Sequence, residues 1–226
     1  MRRLPILPTL PTAALLTAAL AWPLAVRAGD ASFSDEVAFA AAAGAMRVES
    51  FEALAASARS LAPVAAPWFT ASSVGTPIGV QDGPDSPQPG YGAQATQGSH
   101  YLSVYLPNLP QGALRFDLAT PATAFAFDLV DVGEAAGTVH LRTDAGAYAA
   151  GLTLATFPGN LADNGSVRFF GITQTTPFSS VYLTVDGIDE AYGVDRVQLS
   201  AVPEPAQALL WLGGLAALAG LRHRRG

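Results

Sequence analysis

The sequence predicts an all-β domain, an antiparallel β-sandwich with one short N-terminal helix, placed between two targeting segments. Three observations predict this fold class. Short stretches in which apolar and polar residues alternate recur through residues 29–201, a pattern typical of half-buried strands. The chain contains 22 Gly and 17 Pro, so turns are frequent. Each end carries an apolar run beside Arg residues, which sets the two ends apart from the middle.

The first element is a signal peptide, predicted at residues 1–28. A basic start precedes an apolar run at 13–24, and small residues lead up to a cleavage point between Ala28 and Gly29. Signal peptidase is therefore an expected partner, and we expect the mature protein to be exported. The alternative is an uncleaved membrane anchor, which is disfavoured because the apolar run is short.

One helix is predicted near the start of the domain. Ser34 suits the N-cap position, and the acidic Asp35 and Glu36 would complement the helix dipole in the first turn. Gly44 is expected to end the helix. Phe39 is expected to dock it on the edge of a sheet.

Nine short strands are predicted after this helix. The alternation is clear in residues 123–130, where Phe125, Phe127 and Leu129 fall on one face. Residues 51–61 are rich in Ala and Leu and allow a second helix, but we favour a strand that leads into a loop. The strands are predicted at 46–51, 101–106, 113–118, 123–130, 138–143, 148–156, 167–172, 180–185 and 194–200.

A long loop is predicted at residues 61–98. This stretch is rich in Pro and Gly and shows no clear period. In a compact domain, a loop of this length is usually functional or mobile.

Composition excludes several classes of function. The chain has no Cys, which rules out disulfides, thiol nucleophiles and cysteine-ligated zinc. All eighteen acidic residues lie between Asp30 and Glu204, where only six Arg and no Lys accompany them. So acidic a domain should repel nucleic acid and anionic lipid.

The C-terminal segment, residues 202–226, has three parts in a fixed order. An apolar run at 206–221 would span about 24 Å as a helix, which is short of the ~30 Å hydrocarbon core of a membrane. An Arg cluster after it would stay on the cytoplasmic side. The motif before the run is Pro203, Glu204 and Pro205, and the cluster after it contains Arg222, Arg224 and Arg225.

This order resembles the PEP-CTERM sorting signal. The resemblance implies recognition by an exosortase, a membrane transpeptidase, with removal of the helix and release or attachment at the cell surface. Contact with the membrane would then be confined to this helix before processing. The same tail is also described as an ice-binding-protein C-terminus, which names the segment and not an activity. The alternative is an ordinary single-span anchor.

Short motifs in the middle of the chain carry a second resemblance. Residues 31–40, 49–52, 169–172 and 192–195 resemble the β-sandwich ectodomains found ahead of PEP-CTERM tails. The resemblance implies a jelly-roll-like fold similar to carbohydrate-binding modules. We therefore expect a cell-surface or extracellular-matrix protein whose ectodomain is a non-catalytic binding module, with the cell's own exopolysaccharide as a candidate ligand.

No catalytic motif is found. The sequence lacks a Gly-x-Ser-x-Gly elbow, a His-Glu-x-x-His helix and a phosphate-binding Gly loop. His100 and His140 are expected to be solvated or hydrogen-bonded. We expect no enzyme; the alternative is a secreted hydrolase with a lectin-like fold that uses a pair of carboxylates.

Aromatic side chains are the candidate ligand contacts. Tyr182 has the parity opposite to its apolar strand neighbours, so it is the best candidate for an exposed ring; the alternative is that it only covers sheet surface. The other candidates are Trp68, Tyr91, Tyr101 and Tyr105.

Two carboxylates are candidate ligands of a structural calcium ion. Asp195 shares parity with Val197 and Leu199, so it is predicted on the core side of its strand, where a carboxylate needs a partner. Glu52 lies near the first strand and is predicted to bind the same calcium ion as Asp195. The alternative is that each carboxylate caps a loop by accepting backbone N–H bonds. No other cofactor is expected.

Overall fold

A computed structural model describes residues 29–105, 111–134, 136–186 and 191–201. The predicted signal peptide at 1–28 and the predicted sorting tail at 202–226 lie outside these ranges. Cleavage before Gly29, the Pro-Glu-Pro motif and the C-terminal helix therefore stay predictions. Within the described ranges, no helix combines the length and apolarity needed to cross a membrane.

Most of the described chain is β-strand. The helix α1 spans Glu36–Ala43, and a 3₁₀ turn spans Leu161–Asp163. The strands are β1 (Ala31–Phe33), β2 (Arg47–Glu49), β3 (Val64–Ala65), β4 (Phe69–Val74), β5 (Ile78–Asp82), β6 (His100–Tyr105), β7 (Gln111–Val130), β8 (Ala136–Thr143), β9 (Leu152–Pro158), β10 (Val167–Asp186) and β11 (Ala191–Ala201).

All strand pairs are antiparallel and belong to one curled sheet with the order β5-β6-β11-β7-β10-β8-β9. Strands β7 and β10 are each 20 residues long and pair along most of their length. Register shifts between Thr173 and Ser180 interrupt this pairing. β7 pairs with β4 before this point and with β11 beyond it, so the two long strands join two half-sheets.

We call these parts the first and second half-sheets. The first contains β3, β4, β8, β9, residues 113–118 of β7 and residues 180–186 of β10. The second contains β1, β2, β5, β6, β11, residues 122–130 of β7 and residues 167–173 of β10. The predicted antiparallel β fold is confirmed, and the jelly-roll connectivity stays a prediction.

The main core lies between the half-sheets. Phe116 of the first half-sheet packs against Phe125 of the second, with ring centroids 5.3 Å apart. The predicted apolar face of Phe125, Phe127 and Leu129 is fully buried in this core. Contacts between successive rings continue from Phe51 through Phe69, Phe116, Phe125 and Phe127 to Phe170.

Helix α1 covers the other side of the second half-sheet. Phe39 is fully buried there against Ala124 and Ala126, as the predicted docking requires. Gly44 ends the helix as predicted, with its N–H donating to Ala40. The predicted N-cap at Ser34 is wrong by one residue: the side chain of Asp35 accepts the N–H of Ala38 at 2.8 Å.

The predicted strands and the predicted loop need correction at two points. The predicted strands 113–118 and 123–130 are parts of β7, and 167–172 and 180–185 are parts of β10, because bulges and bends let a strand continue past the Pro and Thr residues between them. The predicted loop at 61–98 contains β3, β4 and β5. In β4 only Phe69 and Ala71 are fully buried. The Ser and Thr residues of this strand make its alternation of buried and exposed positions hard to recognise in the sequence. The loop after residue 51 is confirmed.

Candidate functional site

The exposed surface of the first half-sheet is a polar face built around Tyr182. Val181, Leu183 and Val185 point into the core, so Tyr182 lies on the opposite, outward side, as its parity predicts. Arg115 of β7 and Arg142 of β8 are its direct partners on the two neighbouring strands. The polar face consists of Ser72, Arg115, Asp117, His140, Arg142, Thr153, Tyr182 and Thr184.

Two guanidinium groups flank the ring of Tyr182. The guanidinium carbon of Arg142 lies 4.1 Å from the ring centroid, and that of Arg115 lies 5.4 Å away. Because the two arginines come from strands on opposite sides of β10, the ring holds both cations in place. Tyr182 therefore positions donors; a sugar would meet the guanidinium groups and not a bare aromatic face.

The two arginines differ in their partners. Arg115 donates to Asp117 from Nε at 2.9 Å and from Nη2 at 2.6 Å, and this carboxylate raises the pKa of Arg115. Arg142 has no carboxylate within ion-pair distance in the part of the chain that the structure describes. Arg142 is exposed, so its N–H groups are free to donate to a ligand.

A second row of polar side chains runs beside the first. His140 lies across from Thr184 on β10 and Thr153 on β9. Its Nε2 is 3.3 Å from an oxygen of Asp186, and its Nδ1 is 3.2 Å from the Thr153 hydroxyl. Both ring nitrogens have partners, which agrees with the hydrogen-bonded role expected for this residue.

The other candidate aromatics are scattered. Tyr101 is fully buried, so it is excluded as a ligand contact; it lies on the side of β6 opposite Leu102 and Val104, which belong to the main core. Tyr91, Tyr105 and Trp68 are partly exposed, but none of them belongs to the polar face. Arg142 was visible in the sequence as an outward residue of its strand, but its place beside Tyr182 depends on strand register, which the sequence does not show.

Asp195 does not lie on the core side of its strand, contrary to the sequence-based prediction. Arg196 has a positive φ of 47°, and the register of β11 shifts between Asp195 and Gln198. This bulge reverses parity, so Val194 and Val197 enter the core whereas Asp195 pairs with the outward Asp128.

Backbone donors surround the Asp195 carboxylate. Its Oδ2 accepts the N–H of Thr96 at 2.7 Å and that of Gln97 at 2.9 Å, and its Oδ1 accepts the N–H of Arg196 at 2.7 Å. Burial raises the pKa of Asp195, and these hydrogen bonds act in the opposite direction. The carboxylate thus anchors the segment 96–97 over the sheet.

Glu52 anchors the same segment further along. Its Oε1 accepts the N–H of Ser99 at 2.8 Å and that of His100 at 2.6 Å, and the bond from His100 is the main cause of a lowered pKa at Glu52. The carboxylates of Glu52 and Asp195 contact different residues of one loop. Across the described ranges, no group of three or more acidic or His side chains is arranged to hold a metal ion. The calcium site stays a prediction.

One carboxylate pair bears on the hydrolase alternative. Asp128 and Asp195 are direct strand partners, and the hydroxyl of Thr96 lies 2.7 Å from one and 3.1 Å from the other. Both are buried, with 3% and 0% exposure. A substrate could not reach this pair without displacing the segment that contains Thr96.

Comparison with solved structures finds similarities at low sequence identity. No protein-family model matches the chain, and no curated protein matches it. The K2 cleaved adhesin domain of Lys-gingipain aligns with a TM-score of 0.45 and 15% identity, covering 69% of this chain and 99% of that one. The K1 adhesin domain of Lys-gingipain from Porphyromonas gingivalis W83 aligns with a TM-score of 0.39 and 14% identity, covering 71% of this chain and 100% of that one.

A carbohydrate-binding module is also similar. TmCBM61, solved in complex with β-1,4-galactotriose, aligns with a TM-score of 0.37 and 16% identity, and the alignment covers 60% of this chain and 89% of that one. Similarities of this size do not identify a ligand. No family assignment follows from them.

Proposed function

We propose that this protein is an exported binding module of the cell surface or extracellular matrix, with a β-sandwich ectodomain that binds polysaccharide on its polar face. In this proposal the signal peptide is removed before Gly29, and an exosortase processes the tail at Pro203, Glu204 and Pro205. The cell's own exopolysaccharide is the proposed ligand. The ectodomain has no catalytic role.

The observation that carries the proposal is the row Arg115, Tyr182 and Arg142. Together with Ser72 on β4, these side chains cross four neighbouring strands and form a row about 15 Å long at the usual strand spacing. The row presents guanidinium and hydroxyl groups whose geometry is set by strand register and cation–π contact. A row of fixed donors suits the hydroxyl groups of an extended sugar chain.

The surrounding side chains support binding without catalysis. His140 contacts Asp186 through Nε2 and the Thr153 hydroxyl through Nδ1, so both ring nitrogens already have partners within the domain. The paired carboxylates of Asp128 and Asp195 lie beneath a loop and hold it in place. In this proposal the polar face offers hydrogen-bond partners to the ligand, and none of these residues acts as an acid or a base.

A glycan array probed with the full-length protein tests the proposal. Arg142→Gln should weaken binding to the recognised glycan about tenfold, the size expected for one charge-assisted hydrogen bond. Tyr182→Ala should weaken binding because it releases both guanidinium groups, whereas Tyr182→Phe keeps the ring and should retain most of the affinity.

Tyr105→Ala is the matched control. Tyr105 is a partly exposed tyrosine with an arginine, Arg59, 5.7 Å from its ring, but it lies on the second half-sheet. Binding that is lost equally in Tyr105→Ala and Tyr182→Ala would contradict a site on the polar face. Hydrolysis of a recognised glycan by the protein would contradict the non-catalytic role.

A further inference from the structure

A small cleft opens where the two half-sheets meet, away from the polar face. It lies beside the last residues of β11, at the bend of β7 and at the start of β4. Its lining residues come from four separate parts of the chain. They are Arg47, Trp68, Thr120, Ala122, Leu199 and Ser200.

Arg47 is the cation of this cleft. Its guanidinium carbon lies 4.5 Å from the centroid of the Trp68 ring, so the indole holds the group in position. Of the six arginines between residues 29 and 201, four pair with carboxylates, whereas Arg47 and Arg142 stack on aromatic rings without such a partner in the described ranges. The N–H groups of Arg47 are therefore available to an anion.

The rest of the cleft is amphipathic. Ala122 and Leu199 provide a buried apolar floor, and Thr120 contributes a hydroxyl group beside it. The buried Ser200 hydroxyl lies 3.3 Å from that of Thr123. The carbonyl of Trp68 accepts the N–H of Ala119 at 2.8 Å, and this hydrogen bond attaches the backbone of Trp68 to β7. The indole itself is 36% exposed.

We propose that this cleft is a second ligand site, which binds one carboxylate of a uronate-type sugar. A guanidinium group can donate two parallel hydrogen bonds to a carboxylate, so Arg47 would hold the acid group. The hydroxyl of Thr120 would bind a neighbouring ring hydroxyl. A ligand with isolated carboxylates is preferred over a polyanion, because the eighteen acidic residues of the chain repel dense negative charge.

Trp68 gives this proposal a direct probe. The chain contains three Trp, and the other two lie at positions 22 and 211. In the full-length chain with Trp22→Phe and Trp211→Phe, all indole fluorescence comes from the cleft. Titration with methyl glucuronoside should change this fluorescence saturably, whereas methyl glucoside should bind at least fivefold more weakly.

Variants separate this site from the polar face. Arg47→Gln should remove the preference for the acid sugar, while Arg59→Gln, an ion-paired arginine stacked on Tyr105, should preserve it. Arg142→Gln should also preserve the fluorescence response, so failure of the polar-face proposal and failure of this one are distinguishable.

Three results would overturn the inference. One is an equal response to both sugars, and another is an acid-sugar response that survives Arg47→Gln. The third concerns Glu204, the third residue after the end of β11 in the sequence. A response that appears only after Glu204→Gln would show that the chain's own tail occupies the cleft.

Discussion

At the scale of single residues, buried aspartates hold the loops of this domain. Asp131 is 5% exposed, has a positive φ of 66° and accepts the N–H of Gly165 at 2.7 Å. Burial is the main cause that raises its pKa to about 6; the nearby Glu134 and Asp85 act in the same direction, and the bond from Gly165 opposes them. The folded state therefore binds a proton at Asp131 more tightly than the unfolded chain does.

Asp131→Asn should change how stability depends on pH. Because the folded-state pKa is raised, the contribution of Asp131 to stability is fully present below about pH 4 and is lost as the pH rises through about 6. Asn keeps an acceptor for Gly165 and tolerates a positive φ. The variant should therefore be more stable than wild type at pH 7.5, by about 1–3 kcal/mol, and nearly equal to it at pH 4.

Urea unfolding at both pH values measures this effect. Asp82→Asn, the same change at an exposed carboxylate, should leave the free energy of unfolding unchanged at both pH values. A variant that is less stable than wild type at pH 7.5 would show that the ionised Asp131 is stabilising.

Asp195→Asn should destabilise the domain. The side chain accepts three backbone N–H bonds while fully buried, and an amide replaces one acceptor oxygen with a donor. Leaving one or two of these N–H groups unpaired costs about 1–3 kcal/mol each. Thermal unfolding should show a lower midpoint, with Asp82→Asn again as the control.

The same melting experiment tests the calcium ion predicted at Glu52 and Asp195. An ion that binds only the folded state would raise the midpoint as calcium is added, and a chelator would reverse the rise. The hydrogen bonds from residues 96–100 account for both carboxylates without an ion and predict an unchanged midpoint. A calcium-dependent rise that is absent in Asp195→Asn would support the ion.

At the scale of secondary-structure elements, the contact between α1 and β10 depends on a missing side chain. Gly171 of β10 faces Phe39 of the helix, and a Cβ at this position would lie 2.7 Å from the Phe39 ring. Phe39 also packs against Phe33 and Phe169, with ring centroids 5.7 and 5.6 Å away. The helix can therefore sit this close to the sheet only because residue 171 is Gly.

Gly171→Ala should destabilise the domain by about 1–3 kcal/mol, the usual cost of overpacking a tight contact. In a Phe39→Leu background the same change should cost less, because the ring atoms that the new methyl group meets are gone. Chemical denaturation of the four proteins of this cycle measures the coupling. Gly29→Ala, with no atom within 4 Å of the new Cβ, is the control; equal costs in both backgrounds would contradict the proposed contact.

At the scale of the whole molecule, the chain combines an acidic domain with basic ends. The surface-displayed form should begin with Gly29 and lack the apolar run at 206–221, as the signal-peptide and PEP-CTERM patterns predict. N-terminal sequencing and intact-mass measurement of protein taken from the cell surface test both points. A chain that still starts with Met1 would contradict signal cleavage, and a mass that includes residues 206–226 would indicate a simple membrane anchor.

Several features of this protein depend on local pattern and could be predicted from the sequence. Alternation placed Phe125, Phe127 and Leu129 in the core and Tyr182 on the outside, because a strand exposes successive side chains on opposite faces. The helix, its end at Gly44 and its docking residue Phe39 were also predicted from a short stretch of sequence. The targeting segments are also local patterns, and they remain the main basis for the proposed export.

Features that depend on contacts between distant segments could not be predicted from the sequence and became visible in the folded chain. The bulge at Arg196 turned Asp195 to the outer side of β11, and one inserted residue is enough to reverse the parity on which the sequence prediction relied. Arg142 meets Tyr182 because the register of β8 against β10 aligns them, and Arg47 of β2 meets Trp68, the residue before β4, although twenty positions separate them in the sequence. Both candidate sites therefore depend on how separate segments are placed in the fold, which no single stretch of sequence encodes.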